Sequence, residues 1–73
     1  PKEALFSKKS GFFDIEIIVQ KSHPFLKKNG KLFIEHAPNQ AKKVLNLSEK
    51  VGYKEIQQKT DLNRDIRLSI LKK

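Results

Sequence analysis

Residues 29–40, Asn-Gly-Lys-Leu-Phe-Ile-Glu-His-Ala-Pro-Asn-Gln, constrain the fold of this chain more than any other stretch. Asn29-Gly30 is a turn signal, and the run that follows over 31–36 is centred on Leu32, Phe33 and Ile34, a strand apolar on both faces. Such a strand is expected to be covered by helices rather than to keep a wet side. Pro38 suits the first turn of a helix, where a missing amide donor costs nothing. The chain must therefore pass from a turn through a buried strand into a helix. Glu35 and His36 sit at that strand's carboxyl end, where ligands collect in open α/β sheets.

The flanking sequence supplies the partners such a strand needs. Phe12, Ile15, Ile18, Val19, Phe25 and Leu26 follow the three-and-four spacing of one helical face. The rival reading is a strand in which Ile15, Ile17 and Val19 alternate with polar residues. Acids at 14 and 16 and lysines at 27 and 28 complement a helix dipole and favour the helix. Pro24 is expected to kink or close it, and Gly30 to take the left-handed cap conformation. Apolar residues at 41, 44, 45, 47 and 51 mark a second helix ended by Gly52. A weaker strand is expected over 53–60 and a stronger one from Ile66 to Leu71, joined by a turn at 61–64. Residues 1–10 read as a loop. The order is helix, strand, helix, strand, strand, an α/β arrangement with a parallel crossover and a terminal antiparallel hairpin.

A chain of 73 residues makes at most one small domain, and at this size about 60% of the unfolded chain's surface is buried. With no cysteine there is neither a disulfide nor a thiolate metal site, and a reducing cytoplasm is the expected setting. No apolar run approaches the roughly 20 residues of a membrane span, and residues 1–6 do not read as a signal peptide. The net charge of +8 comes from 14 Lys and 2 Arg against 8 acids. A small basic nucleic-acid-binding module is therefore an alternative reading. The lysines fall as scattered pairs without interleaved aromatics, so a solvated basic surface is preferred and nucleic acid is not the expected partner.

Catalytic signals are few. Glycines at 11, 30 and 52 are too far apart for a phosphate-cradling loop. His23 and His36 have no nearby ligand set and read as partly exposed surface histidines. Glu35 and His36 alternate in direction along a strand, which argues against a shared substrate. A structural reading fits better: with the last strand antiparallel to 31–36, Arg67 is brought near Glu35 for a register-fixing, charge-assisted hydrogen bond. Asp61 suits a turn, bonding nearby amides, while Glu49, Glu55 and Asp65 read as solvated.

Across its whole length the chain resembles the carboxyl-terminal part of the HemK-type glutamine methyltransferases, which modify peptide chain release factors. The resemblance rests on Pro1, Ala4-Leu5, Ser10-Gly11, Ile17-Ile18, Leu26, Gly30, Leu32, Ile34-Glu35-His36, Gln40, Gly52-Tyr53, Asp61 and Arg67. It implies a class I, S-adenosylmethionine-dependent methyltransferase with a Rossmann-like sheet in the order 3-2-1-4-5-7-6. The present chain would then be a single partial domain over residues 1–73, supplying strands five to seven and the helix after strand four. Near the hairpin the family usually carries a glycine and an acid directly before the arginine, where this chain has Arg64 and Ile66; after the Glu-His pair it tends to have Gly, here Ala37. The family's cofactor loop, its ribose-binding acid and its Asn-Pro-Pro-Tyr motif match nothing here, so no cofactor-binding or catalytic residue carries over. Glu35, Gln40, Asp61 and Arg67 remain as structural candidates. Without strand four the edge of 31–36 is left open, which implies self-association.

Overall fold

In a computed structural model that describes residues 1–6 and 15–73, the chain folds as a four-stranded mixed sheet with two helices. The elements are β1 (Glu3–Phe6), α1 (Ile15–Phe25), β2 (Lys31–Glu35), α2 (Ala41–Val51), β3 (Glu55–Thr60) and β4 (Ile66–Lys72), with a 3-10 turn at Pro38–Gln40 leading into α2. The sheet order is β1-β2-β4-β3. β1 and β2 are parallel, and β4 runs antiparallel to both β2 and β3. Phe12, Asp14 and Gly11, part of the expected first helix and its approach, lie outside the described residues.

The period-two alternation of each strand decides the core. Leu32, Ile34 and Leu71 point to one face, where Ile15, Ile18 and Val19 of α1 and Val44 of α2 meet them. Each such side chain, once dry, contributes about 1.5–3 kcal/mol. Tyr53 seals the space between the helices: its hydroxyl donates to the Val19 carbonyl at 2.8 Å, and its ring meets His23 edge-on at 4.8 Å. Burial pushes its phenol up to about 12.

Four expectations are corrected. Residues 3–6 form a strand instead of loop, pairing Glu3 to Phe6 with Lys31 to Ile34. That pairing covers the β2 edge that was expected to stand open. Second, the left-handed conformation falls on Asn29 (φ 65°) rather than Gly30, whereas α1 closes at Phe25, one residue past Pro24, as expected. Gly30 is required for space: a Cβ there would sit 2.8 Å from the Lys27 carbonyl oxygen and 3.0 Å from that of Lys2. Third, β2 is covered by helices on one face alone among the described residues. Both helices join the single core, and Phe33 stays half-buried on the other face beside Leu5, which is 67% exposed. Fourth, the expected strand over 53–60 begins at Glu55, because Tyr53 belongs to the core. α2 matches its expected bounds and closes on Gly52, whose φ of 108° is the left-handed region that favours glycine.

Candidate functional site

At the carboxyl end of β2 the chain makes its densest polar cluster. His36 continues the inward direction of Leu32 and Ile34 by period two, and is 1% exposed, not a surface histidine as its composition suggests. Its Nδ1 lies 2.9 Å from the Ala37 carbonyl, which only accepts, so the proton of the neutral ring is assigned to Nδ1. Nε2 then accepts from the Ser69 hydroxyl at 2.8 Å. Ser69, also buried, accepts in turn from Gln58 Nε2 at 3.1 Å, and Gln58 Nε2 donates to the Ala41 carbonyl at 2.7 Å. The chain of bonds thus ties β3, β4 and the end of β2 to the first residue of α2. No buried side-chain polar atom among the described residues lacks a partner, as a network in a low-dielectric core requires.

Gln40 completes the passage into α2. Ala37 offers no side-chain acceptor for the turn, and Gln40 Oε1 accepts from the Ala37 amide at 2.9 Å instead, while the Gln40 amide donates to the Ala37 carbonyl at 2.9 Å. Ser69 and Gln58, absent from the residues that sequence singles out, are what make His36 structural. Their signal was weak, since Ser69 is one small polar residue inside an apolar strand, 33 positions from its partner.

The β3–β4 turn is organised around Asp61. Its Oδ1 accepts from the amides of Asn63 and Asp65 at 2.8 and 3.0 Å, and Oδ2 accepts from Arg67 Nε at 2.6 Å. These bonds, the Asp65 amide first and the Arg67 side chain next, hold the carboxyl below its ordinary value. Asp61 is thus a carboxylate that orients Arg67. Glu35 stands opposite Leu68, and the Arg67 carbonyl accepts from the His36 amide at 3.0 Å. Asp65, read as solvated, has its carboxylate 4.0 Å from the guanidinium. Arg64 holds a left-handed φ of 65° at the turn's exit.

Glu35, Lys59, Thr60, Asp61, Arg67 and Leu68 line an open hollow of about 310 Å³ beside this turn. It brings together two acids and two bases with no activated nucleophile. Both ring nitrogens of His36 are occupied, so the histidine has no free base to offer a substrate. No group of three or more potential metal ligands occurs among the described residues. Gly30 is backed against protein backbone and Gly52 caps a helix, so neither of these glycines cradles a ligand. No described helix is long and apolar enough to cross a membrane.

Comparison with known proteins gives this geometry a context. The chain is 41% identical over 69 residues to the release factor glutamine methyltransferase of Buchnera aphidicola subsp. Schizaphis graminum, covering 94% of this chain. It is 37% identical over 62 residues, or 85% of this chain, to the protein of the same name from Coxiella burnetii. Against that of Buchnera aphidicola subsp. Acyrthosiphon pisum, the match is 38% over all 73 residues. The chain spans about a quarter of the length of these relatives, 22 to 26%. No family model matches it, and no solved structure does. Over that quarter of their length, the chain is similar to the release factor glutamine methyltransferases.

Proposed function

We propose that this chain is the carboxyl-terminal segment of a release factor glutamine methyltransferase, and that its role is to complete the catalytic domain's sheet while chemistry resides in other parts of the enzyme. The observation that carries the reading is the strand order β1-β2-β4-β3, with β1 parallel to β2 and an antiparallel β4 inserted between β2 and β3. That is the pattern 4-5-7-6 that closes a class I methyltransferase sheet, with β1 filling the place of strand four. In this reading the His36–Ser69–Gln58 network and the Asp61–Arg67 clasp hold the carboxyl end of β2 and the hairpin in place as one wall of the substrate side. S-adenosylmethionine and the release factor's glutamine then belong to the whole enzyme.

A calorimetric titration of S-adenosylmethionine into the 73-residue chain tests the division of labour. No heat beyond dilution is expected. Binding in the micromolar range would show that the chain carries a cofactor site of its own and would contradict the reading.

A further inference from the structure

The end of the sheet opposite the polar cluster concentrates charge that the sequence disperses. Backbone hydrogen bonds draw four segments together there: Lys31 N to Lys2 O at 2.8 Å, Lys27 N to Pro1 O at 3.0 Å, Lys73 N to Gly30 O at 2.9 Å and Lys54 N to Lys72 O at 2.9 Å. Residues 1–3, 27–31, 54–55 and 72–73 hold seven lysines against two glutamates, a formal +5 of the chain's +8. Lys54 bonds Asn29, Lys72 lies 3.7 Å from Glu55, and Lys73 Nζ donates to the Leu26 carbonyl at 2.9 Å. Lys2, Lys27, Lys28 and Lys31 are exposed.

Lys2 precedes β1 and Lys31 opens the adjacent β2, two strands about 4.8 Å apart, and Lys27 and Lys28 lie on the segment leading into β2, so four exposed cations share this end of the sheet. Each can meet one phosphate of a flexible single strand. Lysine contacts phosphate as a point charge, without base readout. Beside these lysines stands Phe25, 72% exposed, at the rim of an apolar hollow of about 310 Å³ that also includes Pro1, Ala4, Phe6 and Lys21. An exposed ring next to a basic track is the pairing on which single-stranded bases stack. A membrane surface is the poorer match, since interfacial binding needs a broad apolar face and, among the described residues, this end exposes one ring.

We propose that this lysine-bearing end of the sheet, with Phe25 beside it, binds the phosphate backbone of single-stranded RNA. The test is fluorescence anisotropy of a labelled oligouridylate of about 12 nucleotides with the 73-residue chain, between about 50 and about 300 mM salt. Four phosphate contacts predict a slope of log affinity against log salt near about −3. The combined variant Lys2→Gln, Lys27→Gln, Lys28→Gln, Lys31→Gln is expected to bind at least about tenfold more weakly at the lowest salt and to lose most of the slope. The control Lys42→Gln, Lys43→Gln, Lys59→Gln, Arg64→Gln removes the same charge at the other end and should stay within about twofold of the parent chain. Phe25→Ala should cost about fivefold with little change in slope. All of these side chains are exposed, so the variants are expected to fold, which circular dichroism checks. Equal weakening by the two charge sets reduces the effect to net charge and overturns the proposal. So does a flat salt response, or binding to phosphatidylserine vesicles without binding to RNA.

Discussion

The two faces of the sheet are written in similar residues and live in different surroundings. Leu32, Ile34 and Leu71 on the inner face are fully buried under α1 and α2, and the polar groups among them are bonded through Ser69 and His36. On the outer face, Leu5, Phe33 and Ile70 lie in register across β1, β2 and β4 with no described element over them. β2 therefore does not alternate between apolar and polar as a half-wet strand does. A strand apolar on both sides is the signature of a sheet covered on both sides, and the outer face of β2 is the one with no described element over it.

The sharpest way to break the comparison is to truncate equivalent leucines. Leu32→Ala should lower stability by about 2–5 kcal/mol in urea unfolding, because the packed inner face cannot collapse around the void. Leu5→Ala should change it by less than about 0.5 kcal/mol, since the side chain is largely in water already. Equal losses would mean that the outer face is as tightly packed as the inner one.

Ser69→Ala probes the polar half of the inner face. It removes the donor to His36 Nε2 and one of two acceptors for Gln58, leaving the buried Nε2 unpaired, and about 1–3 kcal/mol should be lost. Gln57→Ala, on the exposed side of β3, should fall within about 0.5 kcal/mol of the parent.

The hairpin should respond to acid. Because the Asp61 carboxyl titrates below its ordinary value when folded, it supports the fold at pH above that ordinary value and ceases to do so as pH falls through the lower, folded one. The urea midpoint should decline below about pH 4, and Asp61→Asn should start lower and show a shallower acid decline. An unchanged acid profile in that variant would remove Asp61 from its organising position.

The smallest expected effect is at Arg64, which holds a left-handed φ without being glycine. Arg64→Gly relieves that conformation and gives back part of the gain as unfolded-chain entropy, so a net increase of about 0.5 kcal/mol is expected. A loss of stability would show that the Arg64 side chain contributes something its exposed position does not reveal.

Elements with a strong period were legible in the sequence. α2 shows its apolar stripe and its Gly52 cap, and β4 its alternation, and both fall within a residue or so of the expected bounds. β1 was not legible, because Glu-Ala-Leu-Phe is too short to display a period and becomes a strand only through its pairing with β2. The turn conformation was misassigned between neighbours: Asn29 accepts the positive φ, while Gly30 is fixed by carbonyls from residues 1 and 2 that only tertiary structure brings close. At the candidate site, Asp61 announces its turn through residue type and position. The burial of His36 depends on which face its side chain occupies once β4 docks on β2. That is a one-residue register matter no local pattern records.

The central claim is that this chain is the closing segment of a release factor glutamine methyltransferase sheet. It is tested most directly by replacing the matching quarter of the Buchnera aphidicola subsp. Schizaphis graminum relative with these 73 residues and measuring methyl transfer from S-adenosylmethionine to a release factor glutamine. The account predicts a folded chimera that retains transfer, and that loses its stability, though not its choice of glutamine, when Leu32→Ala is introduced. A chimera that folds with its sheet intact yet transfers no methyl group would contradict it.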